Sequence, residues 1–207
     1  MKTISEYLSL KEFEAVIFEN EKINISQVAL NRVKESFIFL QEFSENKVIY
    51  GVNTGFGPMA QYRIKEDDRI QLQYNLIRSH SSGTGKPLSP TFVKATILAR
   101  LNTLLLGKSG VHESVIHLMT SLINKDITPL IFEHGGVGAS GDLVQLAHLA
   151  LVLIGEGEVF YKGERRDTAA VFKIENLKPI QVEIREGLAL MNGTSVMTGI
   201  GVVNVHN

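Results

Sequence analysis

The stretch that most constrains this chain is a glycine-rich segment, Gly135-Gly136-Val137-Gly138-Ala139-Ser140-Gly141-Asp142-Leu143. It leads directly into an apolar run that predicts a helix from about Asp142 to Ile154. Ser140 stands at its centre, between the small residues Ala139 and Gly141. Because glycine tolerates backbone angles that cost other residues free energy, such a segment can fold tightly on itself. In that fold the backbone nitrogen of Gly141 can approach the carbonyl carbon of Ala139.

The same segment fits the pattern G-x-G-x-x-G over residues 136–141. That pattern is typical of dinucleotide-binding loops, which hold phosphate at a helix N-terminus. A dinucleotide-binding fold also requires a strand before the loop and a βαβ unit around it. Pro129 interrupts the short apolar run before the loop, which argues against a central strand there. Dinucleotide binding and a loop that merely starts a helix therefore remain as alternatives that the surrounding sequence disfavours.

Composition indicates an ordinary globular chain with no obvious charged partner. Its 207 residues are 44% hydrophobic and carry a formal net charge of −1, which suits one domain and suggests neither nucleic acid nor an anionic membrane as a partner. The chain has no cysteine, which excludes disulfides and thiol chemistry. The N-terminus lacks an apolar signal core, and no apolar run is long enough to span a bilayer. We therefore expect a cytoplasmic protein.

Helical periodicity dominates the rest of the chain. It predicts helices over residues 27–43, 66–79, 90–106, 113–124, 142–154 and 183–191, and a last one that starts at Thr194. The helix over 90–106 is apolar nearly all round, which predicts burial. Residues 47–50 favour a short strand, and residues 158–165 predict a surface hairpin with Lys162-Gly163 at its turn. The last helix has no end signal, so we expect a fragment of a longer protein.

Two polar residues stand beside glycine-rich loops. Tyr50 precedes Gly51-Val52-Asn53-Thr54-Gly55-Phe56-Gly57-Pro58, and locally this pattern favours a surface turn with the tyrosine packed beneath it. His80 lies where the helix over 66–79 should end, and a histidine there favourably meets the helix dipole. His112 and His117 nearly match the zinc pattern H-E-x-x-H, but their spacing is one residue too long for one helix face.

Four separated stretches resemble the histidine, tyrosine and phenylalanine ammonia-lyases in order and approximate spacing. They are Tyr50-Gly51-Val52-Asn53-Thr54-Gly55-Phe56-Gly57, Ser79-His80, Ala139-Ser140-Gly141-Asp142-Leu143 and Met191-Asn192-Gly193-Thr194. The resemblance covers the whole chain but only the N-terminal part of a family member, so residues 1–207 are expected to lack the C-terminal bundle helices of a single domain. It implies a mainly α fold of the ammonia-lyase/fumarase type, in which a loop-rich N-terminal region with short strands leads into a long helical bundle.

The resemblance also implies a chemistry. Ala139, Ser140 and Gly141 would cyclise and lose water to give the electrophile 4-methylidene-imidazol-5-one (MIO), with no metal. Tyr50 would abstract the β-proton of the substrate. Asn192 would hold the substrate carboxylate, since an amide offers a donor and an acceptor together. Gly57, His80 and Leu143 would line the rest of the substrate site.

Several alternatives stay open at this point. Ser79-His80 resembles histidine ammonia-lyases, whereas the wider sequence resembles lyases of which some take tyrosine, so L-histidine and L-tyrosine are both expected candidates. An aminomutase would use the same electrophile and return the amine to the β-carbon. Family members assemble as homotetramers whose sites combine several subunits, so residues 1–207 alone are expected to associate through apolar patches and to be inactive.

Overall fold

The computed structural model describes residues 1–45, 47–136 and 141–206, with all of their side chains except that of Glu66. The described part is mainly helical. Its α-helices are α1 (Leu10–Phe18), α2 (Gln27–Ser44), α3 (Glu66–His80), α4 (Pro90–Leu104), α5 (Glu113–Asn124), α6 (Leu143–Leu153), α7 (Thr168–Glu175), α8 (Glu186–Met191) and α9 (Ser195–His206). Its strands are β1 (Lys2–Ile4), β2 (Ile23–Ile25), β3 (Thr84–Pro87), β4 (Thr128–Pro129), β5 (Phe132–His134), β6 (Glu158–Tyr161) and β7 (Glu164–Asp167). Within these residues no helix combines the length and the apolar character needed to cross a membrane.

The N-terminal region combines a small parallel sheet with two capped helices. β1 pairs with β2 in parallel, and their residues Ile4 and Ile23 are buried. Ser9 caps α1 in a capping box with Glu12. Ser26 accepts from the backbone at the start of α2, as its position before the periodic residues predicts.

α4 is the central helix of the core. Ser89 caps its N-terminus, and Pro90 occupies the first turn, where a missing N–H costs nothing. Its residues from Val93 to Leu101 are all buried, which confirms the prediction from its apolar sequence. α9 packs along it, and at Gly199 an added Cβ would lie 2.7 Å from the backbone nitrogen of Thr96. Glycine therefore allows the two helices to approach closely.

α3, α6 and α8 pack against one another beside this core. Their packing decides where the site residues lie, because the predicted residues occur at helix ends. His80 is the last residue of α3, Leu143 is the first residue of α6, and Asn192 caps the C-terminus of α8.

The short sheets differ in part from expectation. β6 and β7 form the predicted hairpin with Lys162-Gly163 at the turn. It is not a surface excursion, however, since β6 also pairs with β4 and its residues Val159 and Tyr161 are buried. β5 precedes the glycine-rich loop but pairs antiparallel with β3, so it is not the strand of a βαβ unit.

Two predictions about single elements were wrong. Residues 47–50 form no strand, because the side chain of Asn53 accepts from Ile49 N at 2.8 Å and donates to Lys47 O at 2.5 Å. These backbone groups are therefore unavailable for strand pairing. α8 begins at Glu186 rather than at residue 183, and the Glu186 carboxylate accepts from Glu183 N at 2.8 Å. The mainly α fold class is confirmed, and the assignment of residues 1–207 to part of one domain stays a prediction.

Candidate active site

A junction between two glycines joins the start of α6 to the turn after α8. Gly141 and Gly193 form a parallel β-bridge, and Asp142 N donates to Gly193 O at 2.9 Å. Gly141 has a φ of +88°, and a Cβ at this position would lie 2.5 Å from Gly193 O. L-residues rarely adopt such a φ, and the Cβ would clash with the carbonyl, so this position requires glycine. We call this contact the Gly141–Gly193 junction.

Asp142 extends the junction to a third helix. Its Oδ2 accepts from Val196 N and Met197 N, each at 3.0 Å, at the first turn of α9. A carboxylate at this position accepts hydrogen bonds from N–H groups that have no partner within the helix, and its negative charge interacts favourably with the helix dipole. The starts of α6 and α9 and the end of α8 are thereby held together. Two predicted site residues from separate stretches, Gly141 and Asn192, become near neighbours.

The other two residues predicted to form the electrophile, Ala139 and Ser140, lie outside the described residues. Gly141 follows them directly and its backbone is held by the Gly141–Gly193 junction. Of that tripeptide the structure therefore describes only the last residue, Gly141, and the contacts that hold it.

Asn192 and Leu143 lie on either side of the junction. Asn192 is exposed and lines a cavity of about 330 Å³ together with Arg100 and Thr194. Within the described part of the chain no hydrogen bond occupies the donor or the acceptor of its side-chain amide. Leu143 is half-buried and packs against the hydrophobic core.

Tyr50 and Gly57 are brought together by the loop between them. Gly57 N donates to Tyr50 Oη at 3.2 Å, and the Tyr50 ring meets Phe56 edge-on with centroids 6.0 Å apart. The tyrosine side chain is 49% exposed, so it is not packed beneath the loop as the local pattern alone suggested. Its oxygen is held in place while its ring stays accessible.

Gln73 on α3 connects this tyrosine loop to α8. It is fully buried, its Nε2 donates to Gly51 O at 3.4 Å, and its Oε1 accepts from Leu188 N at 3.4 Å. Gly51 directly follows Tyr50, and Leu188 belongs to α8, the helix that Asn192 caps. The sequence reasoning missed Gln73, although a glutamine among buried positions of a helix was a usable signal.

His80 occupies the end of α3, where its ring contacts the helix itself. Its Nδ1 lies 2.9 Å from Leu76 O and 3.1 Å from Ser79 Oγ. Three residues after the end of the helix, Gly83 N donates to Nε2 of His148 at 3.0 Å. His148 lies on α6, and burial lowers its pKa, which favours the neutral ring that this acceptor role requires. The segment after His80 is thus attached to the helix that begins at Leu143.

Two ionisable side chains near the site are buried, Glu186 on α8 and Arg100 on α4. Burial raises the pKa of Glu186 to about 7, although His112 N and Glu183 N donate to its carboxylate at 2.6 and 2.8 Å. Burial lowers the pKa of Arg100 on α4 to about 10. The guanidinium of Arg100 donates to Ala189 O near the end of α8. A charged residue between the apolar residues of a buried helix was the sequence signal for Arg100.

The described residues therefore form two direct groupings, Tyr50 with Gly57 and Gly141 with the turn at Asn192. Among these residues no hydrogen bond joins the two groupings or reaches the side chain of His80 from either. Their connection runs through Gln73 and through the packing of α3, α6 and α8.

Known proteins resemble the chain over nearly all of its length. A histidine ammonia-lyase of Staphylococcus saprophyticus is 46% identical over 200 residues, which cover 96% of this chain and 40% of that protein. A tyrosine aminomutase of Streptomyces globisporus superposes with a TM-score of 0.90 at 36% identity, over 99% of this chain and 39% of the other. A phenylalanine aminomutase of Pantoea agglomerans superposes with a TM-score of 0.92 at 34% identity, over 99% and 40%.

These coverages mean that the chain spans about two-fifths of the length of such relatives. The profile of the family described as "Aromatic amino acid lyase" matches residues 8–207. The chain belongs to the aromatic amino acid lyase family.

Proposed function

We propose that the whole protein eliminates ammonia from an aromatic L-amino acid, converting L-histidine to urocanate or L-tyrosine to p-coumarate. The observation that carries this proposal is the Gly141–Gly193 junction. The junction requires glycine at position 141, directly after Ala139-Ser140, and holds Gly141 close to Asn192. Similarity to a histidine ammonia-lyase over 96% of the chain supports the same reaction class.

The residues present fit an MIO group formed from Ala139, Ser140 and Gly141. Ring closure would use the nitrogen of Gly141, the residue that the junction leaves no room to replace. Asp142, the next residue, holds Gly141 in place, because its backbone N–H and its carboxylate both make hydrogen bonds. When formed, the group supplies an electrophilic methylene that makes the substrate amine a leaving group. No metal is part of the proposal.

Tyr50 is the proposed base for the β-proton. Its ring is accessible, and the N–H of Gly57 points at its oxygen. This hydrogen bond fixes the position of the oxygen that would accept the proton. Gly57 itself would form part of the substrate site, since nothing lies within 4 Å of the place where its Cβ would stand.

The remaining roles concern substrate binding. Asn192 would hold the carboxylate with its unused amide, and Leu143 would contact the aromatic ring from the start of α6. His80 would contact the polar end of the ring. Its Nδ1 already faces Leu76 O, which leaves Nε2 as the atom for a phenol or an imidazole.

An aminomutase is the second candidate, because solved structures named as tyrosine and phenylalanine aminomutases superpose with TM-scores of 0.90 and 0.92. Both reactions begin with the same loss of ammonia and differ in whether the amine returns. Chromatography of the products distinguishes them, since a mutase yields a β-amino acid and a lyase yields the unsaturated acid with free ammonia.

Assembly as a homotetramer in the cytoplasm is part of the proposal. Large apolar side chains are exposed on α2 and α9, including Phe39 at 62%, Met197 at 63% and Val205 at 85%. Such side chains favour burial against other helices of the whole protein or of its copies.

The test is a set of assays on the purified whole protein with L-histidine, L-tyrosine and L-phenylalanine, in wild type and in His80→Phe. We expect ammonia release from histidine or tyrosine, and a shift of at least about 10-fold toward phenylalanine in the variant, because a buried polar ring loses its partner. His134→Phe, at a ring that is mostly exposed, is the control. No ammonia from any of the three amino acids would overturn the proposal, and an unchanged ranking in His80→Phe would remove His80 from the site.

A further inference from the structure

The cavity beside Asn192 is lined by positive charge with no negative charge to match it. Arg100, Arg185 and Lys108 all line it, and the described lining contains no aspartate or glutamate. The remaining polar lining consists of hydroxyl and amide groups, among them Thr194 and Ser195. These groups can donate hydrogen bonds to an anion.

Arg100 is the buried member of this set. It is only 3% exposed, and its guanidinium donates to the backbone oxygen of Ala189. Its Nε is buried and, in the part of the chain that the structure describes, has no hydrogen-bond partner. The Nε of Arg185 is in the same condition. The buried Arg100 and the half-buried Arg185 therefore place two guanidinium groups along one cavity.

Nothing described neutralises Arg100. Burial is what lowers its pKa to about 10, and no neighbouring carboxylate acts against that effect. Glu186 lies near in sequence to Ala189, but its two oxygens accept from His112 N and Glu183 N. Buried charges in proteins are normally paired, because an unpaired one loses its hydration without compensation.

We propose that this cavity binds a carboxylate group, held by the guanidinium groups of Arg100 and Arg185. Guanidinium is the side chain best suited to a carboxylate, because its N–H groups match the two oxygens in a fixed fork. The carboxylate has two possible sources, a small free molecule or an aspartate or glutamate side chain from elsewhere in the assembled protein. A free carboxylate could belong to the substrate that Asn192 would hold, so that source rests on the proposed function, whereas an internal aspartate or glutamate does not.

Crystal structures of the whole wild-type protein test the proposal, one grown without carboxylate buffers and one soaked in acetate. We expect a carboxylate oxygen within about 3 Å of the Arg100 guanidinium. An aspartate or glutamate there in the first crystal identifies an internal source, and acetate there only in the second identifies a free ligand. Water or chloride in both crystals would overturn the proposal.

Solution measurements on the same protein support the assignment to Arg100. If the source is free, acetate should raise the melting temperature at constant ionic strength, whereas the neutral isostere acetamide should not. Arg100→Met should abolish that shift, Arg100→Lys should keep part of it, and Lys108→Gln, at an exposed position of the same cavity, should keep most of it. If the source is internal, Arg100→Met should lower the melting temperature, and neutralising the acidic partner should restore part of the loss. An acetate shift that is equal in wild type and Arg100→Met would contradict the role of Arg100.

Discussion

At the residue scale, the proposed chemistry depends on single contacts that hold reactive side chains without covering them. Tyr50 shows this most clearly, since Gly57 N holds its oxygen while about half of the side chain stays exposed. Tyr62, in the same loop region, is 52% exposed, and within the described residues its hydroxyl makes no hydrogen bond. The two tyrosines therefore differ in how their oxygens are held and not in how accessible they are.

Tyr50→Phe in the whole protein keeps the ring and removes only the oxygen that would take the β-proton. Loss of a general base typically costs about 10² to 10⁴ in rate, so we expect kcat to fall by at least about 100-fold. KM should change little, because the lost interaction belongs to the transition state. Steady-state kinetics with the preferred substrate provide the measurement.

Tyr62→Phe is the matched control, and its kcat should stay near the wild-type value. A Tyr50→Phe variant with wild-type kcat would show that this tyrosine is only structural.

At the scale of elements, the candidate site lies where the ends of several helices come together. The Gly141–Gly193 junction and the Asp142 carboxylate join α6, α8 and α9, while Gln73 joins α3 to the loop that carries Tyr50. Small displacements at such a meeting point are costly, because a shift of about 1 Å in a catalytic group can reduce the rate by about 10².

Gly141→Ala tests whether the junction positions the site. The variant meets both a positive φ of +88° and a clash with Gly193 O, so we expect lower stability and a loss of activity of at least about 100-fold. Gly163→Ala is the matched control, since Gly163 has a φ of +79° with nothing within 4 Å of the added Cβ. That change should cost about 1 kcal/mol of stability with kcat/KM unchanged. Equal activity losses in the two variants would mean that backbone strain, and not the junction, is responsible.

Glu186 makes the packing of α8 dependent on pH. Its pKa of about 7 in the folded protein lies above the ordinary value of 4.5, so folding favours the protonated form. The stability that it contributes is therefore complete below about pH 4.5 and is lost as pH rises through about 7.

Glu186→Gln cannot titrate. The free energy of unfolding of the wild type minus that of the variant should fall as pH rises from about 4.5 to about 8, by at most about 3 kcal/mol. Denaturant unfolding of both proteins across this range is the measurement. A difference that stays constant with pH, or that grows, would contradict the burial of an uncharged carboxyl at this position.

Local sequence signals predict where helices begin, but they do not predict which distant residues come into contact. Ser26, Ser89 and Pro90 mark helix starts because capping is a property of neighbouring residues. The positions of Gln73 and Arg100 in the site could not be predicted in this way, because their partners Gly51, Leu188 and Ala189 are distant in sequence. The strand expected over residues 47–50 failed for a different reason, because the nearby side chain of Asn53 makes hydrogen bonds with the backbone groups of Ile49 and Lys47.

At the scale of the whole molecule, the chain leaves apolar and positively charged surface uncovered in the residues that the structure describes. It spans about two-fifths of the length of its relatives, and large apolar side chains on α2 and α9 remain exposed in the described residues. The described lining of the cavity at Arg100 carries positive charge and no carboxylate. Both features are expected of a surface that other helices or other subunits cover.

Conversion of Ala139, Ser140 and Gly141 into an electrophile would change the intact mass of the purified whole protein, which mass spectrometry measures. Ring closure and dehydration would each remove one water, so we predict a wild-type mass lower by two waters than the mass calculated from its sequence. Ser140→Ala cannot form the exposed methylene, and its mass should not show this double loss, while its activity should fall by orders of magnitude. A wild-type protein with the full calculated mass and ordinary lyase turnover would contradict the claim.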